Sequence, residues 1–216
     1  MKHFKNFKTC VYCTAQTLAS LDETTLARDY AYLEKYVGID KVYLETYRDG
    51  TWVASDHMKM IQNFFKEHGV EIAGGITTVT PPLEKDDTKR QRLFQTFCYS
   101  NEAMRTYLKK IVTYTAELFD EIILDDFFFT SCTCDDCLRE RSNLSWAEFR
   151  SKKMIDVAEN LVLKPAKLAN PSVKVTIKYP NWRESYHETG YVPKTQPSMF
   201  DKIYTGTETR NTAHTD

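Results

Sequence analysis

Residues 121–127 read EIILDDF, a run of apolar, β-prone residues that ends in two adjacent carboxylates. Helical patterns flank this strand on both sides, the first at residues 101–119. The second begins at a capping box formed by Ser145 and Glu148 and is predicted to run to about Leu163, before Pro165 interrupts it. Strands that alternate with helices of this length indicate parallel βαβ units, because parallel strands need a crossover between them.

The same alternation continues along the chain in both directions. Further helices are predicted at residues 21–37 and 56–68, each followed by a glycine. Further strands are predicted at residues 9–14, 41–46, 70–79, 173–179 and 201–205. The third of the six strands contains Gly74 and Gly75, which relax its packing or allow another group to approach its backbone closely.

An open doubly wound sheet and a closed barrel both contain this alternation. No Gly-rich phosphate-binding turn follows the first strand, whereas polar residues recur at the C-terminal ends of nearly every strand, where barrel enzymes build their sites. The sequence therefore predicts the α/β class and a (β/α)8 TIM-type barrel, as one domain over residues 1–216. A complete barrel needs about 250 residues, so six readable βα units predict a chain truncated at its C-terminus.

The charge balance restricts the classes of partner. Lys and Arg total 29 against 30 Asp and Glu, giving a net charge of −1, which argues against nucleic-acid binding because phosphate contacts need clustered positive charge. No apolar run is long enough to cross a bilayer, and no signal-peptide pattern follows the basic N-terminus. We expect either a cytoplasmic protein, or a secreted or periplasmic one from which a signal peptide has been removed.

Asp125 and Asp126 are the first candidate catalytic residues. Neighbouring side chains of a strand point to opposite faces, so only one of these carboxylates is predicted to face the barrel mouth. We favour Asp126, because it lies later on the strand, and expect Asp125 to hold the following loop through backbone hydrogen bonds. The alternative is that both side chains turn outward and cap that loop.

A second carboxylate, Glu208, follows the sixth strand beside Arg210. Glycosidic bond cleavage usually needs two carboxyl groups, one to protonate the leaving oxygen and one to act as nucleophile or base. Glu208 with Asp126 could form this pair, with Glu208 as the general acid. The alternative is an exposed Glu208–Arg210 pair on a polar tail.

Candidate substrate-binding residues lie at the ends of the second, fifth and sixth strands. Hydroxyl-rich substrates need charged groups for hydrogen bonds and an aromatic plate for the apolar sugar face. The residues of these types are Glu45, Tyr47, Arg48, Lys178, Tyr179, Trp182 and Arg210.

Cys132, Cys134 and Cys137 form a C-x-C-x-x-C motif, a spacing that lets thiolates converge on one tetrahedral zinc. Cys98 is placed to supply the fourth ligand, although Asp135 or Asp136 could serve instead. A disulfide is the competing interpretation, but cysteines two residues apart seldom reach the required geometry. Cys10 and Cys13 lie on a strand and are predicted to pack in the interior.

These features resemble the zinc-carrying β-galactosidases of glycoside hydrolase family 42. The resemblance covers about residues 95 to 150 and implies a structural zinc held by Cys98, Cys132, Cys134 and Cys137 beside the active-site mouth. That family has Asn-Glu at the end of strand four, where this chain has Asp125-Asp126, and a nucleophile on strand seven, which is not found here. Acids on strands four and six are instead similar to the α-galactosidase clan, where both are Asp.

The sequence therefore predicts a glycoside hydrolase that acts on a carbohydrate substrate through paired carboxylates, with a structural zinc and no organic cofactor. A non-catalytic carbohydrate-binding barrel is one alternative. A metal-dependent hydrolase with Asp125 and Asp126 as ligands is another, which is disfavoured because His57, His68 and His187 are scattered along the chain. The sequence does not indicate the oligomeric state.

Overall fold

The computed structural model of the chain describes residues 4–79, 92–180 and 185–206. These ranges contain one sheet with six parallel strands in the order β1-β2-β4-β5-β6-β7, and β3 pairs antiparallel with the end of β2. The strands are β1 (Cys10–Cys13), β2 (Lys41–Arg48), β3 (Thr51–Trp52), β4 (Glu71–Ile76), β5 (Glu121–Leu124), β6 (Lys174–Tyr179) and β7 (Lys202–Thr205). Each parallel pair is joined by a crossover that contains helix.

Several of the crossover helices begin where the sequence supplies a capping side chain. Asp22 and Ser145 form capping boxes with Thr25 and Glu148, and the Asn101 side chain accepts a hydrogen bond from Met104 N. The helices are α1 (Ala15–Ser20), α2 (Glu23–Tyr36), α3 (Ser55–Glu67), α4 (Glu102–Leu118), α5 (Asp135–Arg141), α6 (Trp146–Val157), α7 (Lys164–Ala169) and α8 (Tyr186–Thr189). None of the helices in the described ranges is long and apolar enough to cross a membrane.

The sheet is curved into the greater part of a barrel. Four strand spacings separate β2 from β7, which is about 19 Å in a flat sheet. The hydroxyl groups of Tyr43 on β2 and Tyr204 on β7 nevertheless lie 2.7 Å apart. Only a strongly curved sheet brings these two side chains together, so the predicted α/β class and barrel type are confirmed.

Side chains alternate between the barrel interior and the helix layer. Tyr12, Tyr43, Ala73 and Ile123 pack together on the inner side. The helices cover the outer side, where two larger apolar clusters fill the space between helices and strands. Position along a strand therefore decides whether a polar side chain reaches the mouth or is buried beneath a helix.

The two glycines of β4 allow close approach on both faces of the sheet, as one of the two sequence-based interpretations proposed. A Cβ atom on Gly74 would lie 2.7 Å from side-chain atoms of Phe119 and Thr115, in the helix layer. A Cβ atom on Gly75 would lie 2.7 Å from the Tyr12 hydroxyl inside the barrel. Both distances are too short for a real contact, so glycine is required here for this packing.

The prediction that Pro165 interrupts the helix leading into β6 is wrong. The helical path continues from α6 through a π-helical turn, Ala158–Leu163, into α7, which ends at Ala169. Proline clashes with the carbonyl four residues earlier in an α-helix, and the wider π turn before Pro165 relieves that clash. The short helices α1 and α5 were not predicted, since neither is long enough to show a periodic pattern.

Candidate active site at the barrel mouth

A β-bulge in β2 directs Arg48 into the barrel mouth. Glu45 pairs with Gly75 and Tyr47 pairs with Ile76, so an extra residue, Thr46, is accommodated on β2. The bulge places both Thr46 and Tyr47 on the helix side and returns Arg48 to the inner side. Bulges of this kind occur at barrel rims, where they redirect a side chain.

Glu45 is fully buried and has both carboxylate oxygens occupied. Arg48 Nε donates to them at 3.0 and 2.9 Å. The Tyr12 hydroxyl donates to Oε1 at 2.8 Å, Ala15 N donates to Oε2 at 2.7 Å, and the Thr77 hydroxyl also donates to Oε1. These contacts fix Glu45 as the partner that orients Arg48.

Arg48 and Lys178 hold the aspartates at the end of β5. Arg48 Nη2 lies 3.0 Å from Asp125 Oδ2, and Lys178 Nζ lies 3.1 Å from Asp125 Oδ1. Lys178 Nζ also lies 3.2 Å from Asp126 Oδ2. The mouth therefore contains two adjacent carboxylates that share one ammonium group.

The orientation of the two aspartates differs from the expectation based on strand alternation. We expected only Asp126 at the mouth, but both carboxylates reach Lys178. β5 ends at Leu124, and the chain then turns, with Phe128 N donating to the Asp125 carbonyl at 3.1 Å. Alternation does not apply within a turn. Asp125 Oδ1 also accepts a hydrogen bond from Asp126 N at 2.9 Å, which holds the start of the loop.

The charges at the mouth reinforce one another. Burial alone would lower the pKa of Lys178, but the charges of Asp125 and Asp126 raise it above the ordinary value. Burial likewise opposes ionisation of Arg48, yet hydrogen bonding to Glu45 and the charges of Glu45 and Asp125 raise its pKa. Both basic groups therefore remain protonated and hold the carboxylates in place.

Two aromatic residues predicted to bind substrate are absent from the mouth. Tyr47 is buried on the helix side, where it packs edge-on against Trp52 and Tyr107. Tyr179 is also buried on the outer side, where its hydroxyl donates to Gln196 at 3.3 Å. Alternation with the inward-facing Lys178 accounts for Tyr179, and the bulge accounts for Tyr47.

The remaining predicted site residues, Trp182, Glu208 and Arg210, lie outside the described residues. Tyr12 and Thr77 were missed by the sequence analysis, although both contact Glu45. Their inward positions follow from alternation, because Tyr12 is one residue before the end of β1 and Thr77 directly follows β4. A tyrosine and a threonine carry little signal by themselves, so sequence alone did not distinguish them from core residues.

The four cysteines predicted to bind metal are brought together beside the mouth. Cys98 precedes α4, Cys132 and Cys134 lie between β5 and α5, and Cys137 lies in α5. All four sulfur atoms lie within 4.8 Å of one another, and Cys98 Sγ is 3.7 Å from Cys134 Sγ and 3.6 Å from Cys137 Sγ. All four are free thiols. They could hold a metal ion.

The cluster geometry also fits thiolate chemistry. Zn–S bonds of about 2.3 Å in a tetrahedron place the sulfur atoms about 3.8 Å apart, which is close to the observed spacing. The sulfur spacing therefore fits a tetrahedral shell of four thiolates.

Taken together, the strand order and the polar mouth define a (β/α)-barrel protein with an acidic site at the C-terminal ends of its strands. Over residues 1–216 the chain matches the family described as "Probable glycosyl hydrolase, catalytic domain", and it belongs to that family.

The chain is similar to one curated protein and to solved structures of two β-galactosidases. An uncharacterized protein of Saccharolobus solfataricus, SSO3021, is 34% identical over 230 residues, which cover 95% of this chain and 38% of that protein. The cold-adapted β-galactosidase of Rahnella sp. R3 has a TM-score of 0.67 at 12% identity, covering 93% of this chain and 39% of the enzyme. The β-galactosidase of Marinomonas ef1 has a TM-score of 0.64 at 12% identity, covering 94% and 41%. The chain thus spans about two fifths of these proteins, and the two structures show a shared barrel fold.

Proposed function

We propose that this chain contributes the active-site mouth of a glycoside hydrolase that cleaves O-glycosidic bonds with paired carboxylates. The observation that carries the proposal is the position of Asp125 and Asp126, which meet Lys178 inside the C-terminal edge of the barrel. Barrel enzymes place their reacting groups at this edge. Membership of the glycosyl hydrolase catalytic-domain family supports the same reaction class.

The two aspartates are suited to different roles. Asp125 has one oxygen on Arg48 and the other on Lys178 and Asp126 N, so it positions these groups. Asp126 pairs with Lys178 and lies one step farther along the loop than Asp125, toward the opening. We therefore assign Asp126 as the nucleophile or general base. An ammonium group 3.2 Å away favours the ionised carboxylate that either role requires.

Glu208 is proposed as the general acid, with Trp182 and Arg210 as substrate contacts. Gly206 N donates to the Tyr179 carbonyl at 2.9 Å, so β7 leaves the sheet beside the end of β6, which carries Lys178. Glu208 follows Gly206 closely in sequence. In the reaction, Glu208 would protonate the leaving oxygen while Asp126 attacks the anomeric carbon or activates a water. A carboxyl separation of about 5 Å would give retention, and about 6.5–9.5 Å would give inversion.

The contacts of the aspartates favour this function over a metal-dependent hydrolase. Asp125 and Asp126 face basic side chains, which compete with a metal ion for the same oxygens. A non-catalytic carbohydrate-binding barrel is the second candidate function, because the charged side chains of Lys178 and Arg48 at the mouth also suit the binding of hydroxyl groups. The particular likeness to family 42 or to the α-galactosidase clan remains a prediction.

We also propose that the cysteine cluster holds a structural zinc. Four thiolates at Cys98, Cys132, Cys134 and Cys137 fill a tetrahedral shell and leave no position for a reactive water, so the metal would stabilise the loops that carry it.

Turnover of the purified protein on a panel of p-nitrophenyl glycosides, including both galactoside anomers, tests the proposed function. Asp126→Asn and Glu208→Gln should each lower kcat by about 100-fold or more, because each removes a group that reacts in the transition state. Asp56→Asn is the matched control, since that side chain is 96% exposed on α3, in the helix layer. Turnover retained in both active-site variants would exclude the pair, and loss of turnover in the control would indicate a folding effect.

A further inference from the structure

One wall of the mouth presents an exposed aromatic ring. Phe94 is 60% exposed, although its ring packs edge-on against Phe127 at 5.3 Å and Phe129 at 6.4 Å between centroids. Phe94 and Gln95 both have left-handed backbone angles, with φ of 52° and 55°. Non-glycine residues rarely adopt this conformation, and here it turns the Phe94 ring outward from the segment.

Hydrogen bonds on both sides hold this segment in place. Leu93 N donates to Ser131 Oγ at 2.8 Å, and Phe97 N donates to the Thr78 carbonyl at 3.1 Å. Ser131 directly precedes Cys132, and Cys98 directly follows Phe97. Hydrogen bonds therefore fix the backbone on both sides of Phe94, next to the cysteine cluster.

The ring is continuous with the charged part of the mouth. Phe127 directly follows Asp126, and the Arg48 guanidinium lies 5.6 Å from the centroid of the Phe127 ring. Arg48 in turn binds Asp125. The Phe127 ring thus lies between Phe94 and Arg48, which binds Asp125. Phe94 forms the outer part of the same wall.

We propose that the exposed face of Phe94 is a carbohydrate subsite, which stacks on the apolar C–H face of a pyranose ring adjacent to the ring that reacts. This inference rests on the proposed function for the location of the reacting ring. Pyranose rings combine an apolar face with a hydroxyl edge, and binding sites match them with an aromatic plate beside polar groups. Phe94 supplies the plate, and the exposed Gln95 amide next to it is available to the hydroxyl edge.

Exposure alone does not make a subsite, and the chain contains a matched comparison. Phe7 is 59% exposed and also packs against a second ring, that of Phe4. It precedes β1 and therefore lies toward the N-terminal ends of the strands, away from the mouth. Substitution of Phe7 removes as much exposed aromatic surface as substitution of Phe94, without touching the site.

The test measures binding separately from turnover. Tetrasaccharides of β-1,4-linked galactose, mannose, xylose and glucose are titrated calorimetrically into the Asp126→Asn protein, which leaves the sugar uncleaved. With the Asp126→Asn protein as the parent, Phe94→Ala should raise the dissociation constant of each tetrasaccharide that the parent binds by about tenfold, which is the effect of losing one aromatic stacking contact. Phe94→Trp should bind within about twofold of the parent, and Phe7→Ala should bind as the parent does.

The outcomes separate the subsite from the reaction. Binding by Phe94→Ala equal to that of the parent, or no binding of any tetrasaccharide by the parent, overturns the subsite. If Asp126→Asn abolishes turnover while Phe94→Ala binds normally, only the subsite is wrong. If Phe94→Ala weakens binding but the wild-type protein hydrolyses no glycoside, the subsite stands and the hydrolase function is wrong.

Discussion

Glu45 shows how a buried carboxylate can organise a site without contacting its substrate. The sequence placed it among substrate-binding residues because it is a charged residue at a strand end. In the structure its side chain is 0% exposed and accepts hydrogen bonds from Arg48, Tyr12, Thr77 and Ala15 N. With no oxygen facing the opening, Glu45 acts on the mouth through Arg48.

Replacement of Glu45 by Gln tests this positioning role. The amide keeps the shape of the side chain but removes the charge that pairs with the partly buried Arg48. Removing the charge of one partner in such a pair should lower the free energy of unfolding by about 3 kcal/mol, as measured by urea denaturation. Glu71→Gln is the control, because Glu71 pairs with Lys8 on the surface and its loss should produce no measurable change. Equal stability of Glu45→Gln and the wild-type protein would show that the network does not constrain Arg48.

Some side-chain directions could be predicted from the sequence and others could not. The inward positions of Glu45 and Lys178 follow from strand alternation and polarity. Regular alternation after Glu45 would place Tyr47 inside the barrel and Arg48 on the helix side, and the bulge reverses both positions. A bulge depends on pairing with β4, which no local sequence pattern encodes. The same limit applies to Asp126, whose direction is set by a turn that begins one residue after β5 ends.

At the scale of elements, the cysteine cluster joins parts of the chain that come from two different crossovers. Cys98 belongs to the segment before α4, whereas Cys132 and Cys134 lie between β5 and α5 and Cys137 lies in α5. The spacing of the last three cysteines was readable from the sequence. Their meeting with Cys98 depends on the parallel pairing of β4 with β5, which brings the ends of both strands to one edge.

Loss of one thiolate should therefore release both segments. Cys134→Ser should lose the proposed zinc and lower Tm by about 10 °C, because metal binding contributes several kcal/mol to folding. Metal analysis of freshly purified protein should find about one zinc per wild-type chain, and calorimetry gives Tm. Cys10→Ser is the control, since Cys10 lies outside the cluster and, contrary to the prediction that it packs in the interior, is exposed on β1. A disulfide at Cys132 or Cys137 under native conditions, or unchanged zinc in Cys134→Ser, would exclude the site.

The strand and helix order was predictable because each element carries its own local signal. The six parallel strands are short apolar runs, and α2, α4 and α6 begin at capping residues. The continuation of the helix past Pro165 was not predictable, because the π turn that relieves the proline clash is stabilised by packing. Leu161 and Val162 in that turn are both buried in the apolar cluster between the helices and the strands.

At the scale of the whole molecule, ionic contacts close the barrel interior at the end opposite the mouth. Glu121 on β5 receives Lys41 Nζ from β2 at 2.7 Å and Lys202 Nζ from β7 at 2.8 Å. None of these three strands is adjacent to another of them in the sheet. These pairs therefore stabilise the curvature itself. No local sequence pattern predicts them, because they exist only once the sheet has curved.

The pH dependence of stability should report this contact. Burial alone would raise the pKa of Glu121, but hydrogen bonds and charges from Lys202 and Lys41 lower it below its ordinary value of 4.5. A carboxyl whose pKa is lowered by folding contributes its full stabilisation above the unfolded pKa and loses it as the pH falls through the folded pKa. Wild-type protein should thus be more stable than Glu121→Gln at pH 7, and urea denaturation should show this difference shrinking as the pH falls below about 4.5. Glu117→Gln, at an exposed position on α4, is the surface control measured over the same pH range. A pH-independent difference for Glu121→Gln would mean that the lysines do not hold this carboxylate ionised, and that the curvature of the barrel rests on its apolar packing alone.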